Sequence, residues 1–105
     1  MTRTLSSADN GSTIDLDADE RFTLVLAENP TTGYRWHAML SPAGIVAEEG
    51  KDFVASTGAP GASGERHLHF HATKPGAFEL ECLRHRDGEA PTAAKETFRI
   101  TGTVR

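Results

Sequence analysis

Phe22-Thr23-Leu24-Val25-Leu26-Ala27-Glu28-Asn29-Pro30-Thr31-Thr32-Gly33-Tyr34-Arg35-Trp36-His37-Ala38-Met39-Leu40 is the stretch that decides the architecture. Two runs of period two flank a polar bend. Phe22, Leu24 and Leu26 fall on one side of the first run; Tyr34, Trp36, Ala38 and Leu40 fall on one side of the second. Side chains two apart on a strand share a face, so each run reads as a half-buried strand. In the bend, Pro30 presets φ and Gly33 tolerates a positive φ. Asn29, Thr31 and Thr32 can bond to nearby backbone. Read from its residues alone, the bend is either a structural turn or a binding tip. The β-branched pair Thr31-Thr32 stiffens it, and a stiff tip loses less entropy on docking.

The same alternation recurs on both sides. Upstream, Ile14 and Leu16 alternate with Asp15 and Asp17. Downstream, Ser41-Pro42-Ala43-Gly44 ends the Tyr34 strand, and Ile45-Val46 and Phe53-Val54 read as two short edge pieces around Glu48-Glu49-Gly50-Lys51. Leu68, Phe70 and Ala72 form another inward set before the turn Lys74-Pro75-Gly76. Phe78, Leu80 and Cys82 follow, and Phe98 and Ile100 lie in a last strand running towards Val104. About seven or eight short strands separated by turn residues predict an all-β, immunoglobulin-like antiparallel sandwich. Trp36, on the third strand with inward parity, is a core residue in this reading. The 105 residues suit one domain, with residues 1–11 expected to fray.

Two connections break the alternation: the small, glycine-dense stretch at 57–64 and the charged stretch at 84–92. With 29–33 they begin after alternate strands, which in a sandwich of this kind brings them to one end. Three loops at one end make a composite binding edge.

The net charge of −4, with both signs interspersed, argues against nucleic acid as a partner, because phosphate binding needs a concentrated basic surface. One cysteine, Cys82, excludes an internal disulfide and alternates with apolar neighbours, as a small buried hydrophobe does. No run of apolar residues is long enough for a membrane span. Met1-Thr2-Arg3-Thr4 leads into no apolar segment, which reads as cytoplasmic; had a signal segment been removed, the same sequence would read as periplasmic or secreted. No serine–histidine–aspartate set, phosphate loop or paired acid and base is legible, so a binding protein without cofactor, and not an enzyme, is expected.

The segment Asn29-Pro30-Thr31-Thr32-Gly33-Tyr34-Arg35-Trp36 resembles the signature loop of the chagasin-type inhibitors of papain-like cysteine proteases, inhibitor family I42. Gly61-Ala62-Ser63-Gly64, followed by Glu65-Arg66-His67-Leu68-His69-Phe70, is similar to the family's glycine-rich loop and the strand after it. Lys74-Pro75-Gly76 falls at the family's next turn, and the resemblance runs from about Leu16 to Ile100. The family's third loop usually carries Arg-Pro-Trp; here Arg86-Asp87-Gly88 keeps the arginine and lacks the aromatic. The resemblance implies a reversible, monomeric inhibitor that inserts a three-loop wedge into the protease cleft. Its protease-binding residues would be Asn29, Pro30, Thr31, Thr32, Gly33, Tyr34, Gly61, Ala62, Ser63, Gly64, Arg86 and Asp87. A rigid loop can fill a cleft without offering a scissile bond in attack geometry.

Two other readings compete. His67, His69 and His71 share one face of a strand, a spacing that can supply metal ligands, although a solvent-facing polar row opposite Leu68, Phe70 and Ala72 is the simpler account. A non-inhibitory immunoglobulin-like interaction module is the third.

Overall fold

The computed structural model describes residues 2–29, 33–55, 64–86, 88 and 94–105. Eight strands form two four-stranded sheets. Their ranges are β1 Thr2–Ser6, β2 Thr13–Leu16, β3 Arg21–Glu28, β4 Tyr34–Ser41, β5 Val46–Ala55, β6 Gly64–Ala72, β7 Gly76–Arg86 and β8 Glu96–Val104. One sheet has the order β1-β3-β6-β5 and the other β2-β8-β7-β4.

The alternation seen in sequence becomes the core. Phe22, Leu24 and Leu26 of β3 and Leu68, Phe70 and Ala72 of β6 face Phe78, Leu80 and Cys82 of β7 and Phe98, Ile100 and Val104 of β8. Phe22 and Phe70 pair across the β3–β6 ladder and stack with centroids 4.9 Å apart. Trp36 is buried among them, as its parity predicts. Gly102 is required by close approach: a Cβ there would meet the Phe78 ring and the Ile14 carbonyl at 2.7 Å. Cys82 is fully buried, and burial, reinforced by Glu48 and Glu81, pushes its thiol up to about 12.

Three features differ from the sequence reading. Residues 2–11, expected to fray, carry regular structure. Residues Thr2–Ser6 form β1, which pairs with β3 and buries Leu5, and a short 3₁₀ turn at Ser7–Asp9 follows under a Ser6 capping box. Asn10 Oδ1 then accepts from Arg99 N at 2.9 Å. A five-residue edge strand needs a single inward apolar side chain, so it leaves almost no periodic signal. Second, β1 joins β3 and β2 joins β8 in parallel, while the four other pairings are antiparallel. Third, the two edge pieces at Val46 and Phe53 are one ten-residue strand, with an irregularity between Glu48 and Gly50. Because β5 lies at the sheet edge, its middle is exposed on both faces and reads as a polar interruption. A bulge and charged residues on an exposed edge also discourage pairing with another chain.

Candidate functional site

The strand registers bring the roots of the three loops to one end of the molecule. Glu28, the last residue of β3, pairs with Gly64, the first of β6, and Ala55, the last of β5, pairs with the same glycine. In the other sheet, Tyr34 opens β4 opposite Arg86, the last residue of β7, and Arg84 pairs with Glu96 at the start of β8. Of the residues expected to contact a protease, Asn29, Gly33, Tyr34, Gly64 and Arg86 are described. Pro30, Thr31, Thr32, Gly61, Ala62, Ser63 and Asp87 lie outside the described residues. Gly64 and residues 84–86, read from sequence as loop, are strand. The run Leu83-Arg84-His85-Arg86 hides its alternation because Leu83 and His85, on the outer parity, are also buried.

Each root is built from specific contacts. Gly33 has φ +78°, a conformation that favours glycine, and a Cβ added there would stand 3.9 Å from Cγ and Nε of Arg86. The Arg86 guanidinium and the Lys95 ammonium both lie 4.7 Å from the centroid of the Tyr34 ring, within cation–π range. The Lys95 amide donates to Arg84 O at 2.7 Å, and Arg84 pairs with Glu96, closing the base of the third loop. At the second loop, Gly64 answers crowding: a Cβ would stand 2.3 Å from Val54 O and 2.8 Å from both Ala55 Cα and Phe53 Cζ.

The residue that sequence reasoning missed is Glu28. Its carboxylate has no exposed side-chain surface and faces three donors. Oε1 accepts from the Trp36 amide at 3.0 Å; Oε2 accepts from Arg66 Nε at 2.9 Å and Nη2 at 2.5 Å. The Trp36 indole donates to Ala27 O at 2.9 Å, so two hydrogen bonds close the root of the first loop. Arg66 also lies over the Phe53 ring, 5.3 Å from its centroid. The signal was available in sequence: in the alternation of Arg21–Glu28, Glu28 occupies an inward position, where an acid is buried only with partners.

The histidine row turns to the opposite face of β6, and each ring lies near one or two acids. His69 lies between Thr23 Oγ1 (3.0 Å) and Asp52 Oδ2 (2.9 Å). His67 reaches Glu65 at 3.4 Å, and His71 approaches Asp19 at 3.5 Å and Glu49 at 3.8 Å. Among the described residues, no group of three or more histidine, cysteine, aspartate or glutamate side chains is arranged to hold a metal ion.

The end of the sandwich therefore gathers the braced roots of three connections, with cationic groups around an aromatic ring. Comparison with known proteins decides what family that belongs to. The family description "Chagasin family peptidase inhibitor I42" matches residues 15–101. The chain belongs to that family. It is 31% identical to amoebiasin-1 from Entamoeba histolytica over 104 residues, covering 96% of this chain and 98% of the relative. It is 27% identical to chagasin from Trypanosoma cruzi over 105 residues, covering 95% and 96%. The crystal structure of the cysteine protease inhibitor EhICP2 from Entamoeba histolytica superposes with a TM-score of 0.86 at 18% identity, covering 99% of this chain and 96% of that one. The chagasin-family fold thus extends over nearly the whole chain, including β1, which lies ahead of the matched residues.

Proposed function

We propose that the protein is a reversible inhibitor of papain-like cysteine proteases, acting as a single domain and a monomer, and not as an enzyme. In this reading the end bearing the β3–β4, β5–β6 and β7–β8 connections enters the active-site cleft. The observation that carries it is the convergence of Glu28, Tyr34, Ala55, Gly64, Arg86 and Glu96, the roots of all three loops, on one end of a sandwich of the chagasin family. The signature residues Asn29–Tyr34 and Gly61–Gly64 are then the central contacts. Arg86 and Asp87 contribute charge at the rim, where the family's tryptophan is absent. Loss of an aromatic anchor shifts the interaction onto the first two loops.

A calorimetric titration against papain, free and with its catalytic cysteine carrying a covalent ligand that fills the cleft, tests this reading. Binding at one site on the free enzyme, lost on the blocked enzyme, is expected. Equal binding to both would mean that the contact lies outside the cleft.

A further inference from the structure

Glu28 is an expensive way to fill an inward position. Removing a carboxylate and a guanidinium from water costs several kcal/mol per ion, and a well-packed apolar pair in their place is often neutral or stabilising. Here the side-chain exposures are 0% for Glu28 and 13% for Arg66, so the pair lies inside the protein. Its position suggests what the pair accomplishes. Glu28 is the residue before the first loop; Trp36 N, its partner through Oε1, lies just after it. Arg66, its partner through Oε2, is two residues beyond Gly64, where the second loop re-enters β6, and stacks on Phe53, shortly before that loop leaves β5. The carboxylate therefore joins both sides of the first loop to β6 at the return of the second, and the Arg66 guanidinium carries the link on to Phe53 of β5.

We infer that the Glu28–Arg66 pair is a positioning device that holds the first and second loops in register with one another for docking. Neither residue needs to touch the protease. The inference rests on the inhibitory reading above. A free inhibitor whose loops are held ready binds with its intrinsic affinity, whereas one that samples the ready state for a fraction of the time binds more weakly by that fraction. That loss falls on the association rate when the loops interconvert quickly, and the dissociation rate of the assembled complex stays nearly the same. A lost protease contact would instead raise the dissociation rate.

The test uses Glu28→Gln, which keeps an acceptor for Trp36 N and removes the charge facing Arg66, and Arg66→Lys, which keeps the charge and loses the fork. Arg66 reaches the surface and its lysine variant is the one expected to remain folded if the glutamine variant does not. Rates against papain are measured by stopped-flow fluorescence, with amide hydrogen exchange on the free proteins. We expect association slowed about tenfold, dissociation within about twofold of the parent, and faster exchange at the Trp36 and Gly33 amides in both variants. An unchanged association rate in a folded variant overturns the inference, and so does a loss confined to dissociation. Should the parent protein fail to inhibit papain, the inhibitory reading fails by itself. The exchange measurement on the free protein still tests the coupling, because Arg66→Lys must then speed exchange at the Trp36 and Gly33 amides; unchanged protection there refutes it.

Discussion

Replacing Gly64 with alanine is a demanding trial of the root geometry, because the structure gives the added methyl no room. The new Cβ would sit 2.3 Å from Val54 O, and real Cβ atoms keep at least about 3.0 Å, so at least 3.0 − 2.3 = 0.7 Å of separation must be found. It cannot come from a side-chain rotation, since Val54 O and Ala55 Cα are both backbone. The end of β5 must swing away from β6, where adjacent strands are normally about 4.8 Å apart, or the first residues of β6 must leave the ladder. Overpacking of this kind costs about 1–3 kcal/mol. For a domain of about this size each kcal/mol is worth about 4–8 °C, so the melting temperature should fall by about 4–24 °C. Gly50 supplies the control. It lies in the same strand pair at the β5 irregularity, and nothing lies within 4 Å of its added Cβ. Alanine there should be neutral, or stabilising by about 0.4–1 kcal/mol through the unfolded chain. Paired thermal and urea melts of the two variants measure the difference. If Gly64→Ala melts within about 0.5 kcal/mol of the parent, the crowding at the second loop root is not as described.

Three further expectations are independent of that one. Replacing Thr31 and Thr32 together with aspartate should weaken inhibition of papain severely and leave the melting temperature within a few degrees, about the effect of an ordinary surface change; an equal fall in stability would make the loop structural. Trp36→Phe keeps most of the buried ring but abolishes the bond to Ala27 O, and should cost about 1–2 kcal/mol in urea unfolding against about 3–5 for Trp36→Ala. Cys82, with its thiol raised from 9.0 to about 12, should resist a thiol reagent at pH 8 in the folded protein and react promptly in urea. Since the folded thiol holds its proton more tightly than the unfolded one, this group's stabilisation is complete below pH 9 and falls as pH rises towards 12; stability that rose across that window would contradict the assignment.

Much of this protein could be read from its residues, and the reasons differ by element. The inner strands β3, β6 and β7 carry three apolar residues each at strict alternation, because one face of each lies against the facing sheet. β5 and β1 were harder because edge strands are specified by backbone pairing as much as by side chains: β5 is exposed along most of its length, and Leu5 is the apolar residue that β1 buries among its described side chains. The parallel attachment of β1 and β2 has no local signature, since the direction of an edge strand is set by where the chain crosses over. The signature loop was legible as a motif, and the convergence of its roots with those of the second and third loops followed from strand order. The device beneath it was not, because Glu28 has the composition of a surface residue and acquires its meaning from Arg66, distant in sequence and adjacent in space. Lys95 was overlooked for a similar reason: its place over Tyr34 depends on how the third loop returns to β8.

The central claim is that the loop-bearing end of this sandwich blocks a papain-like active site. Titrating active-site-calibrated papain with the folded parent protein, and following hydrolysis of a small fluorogenic peptide, measures it most directly. Activity should fall to near zero as the inhibitor approaches equivalence and return when the complex is diluted or displaced. Full activity in the presence of micromolar folded protein would contradict the account.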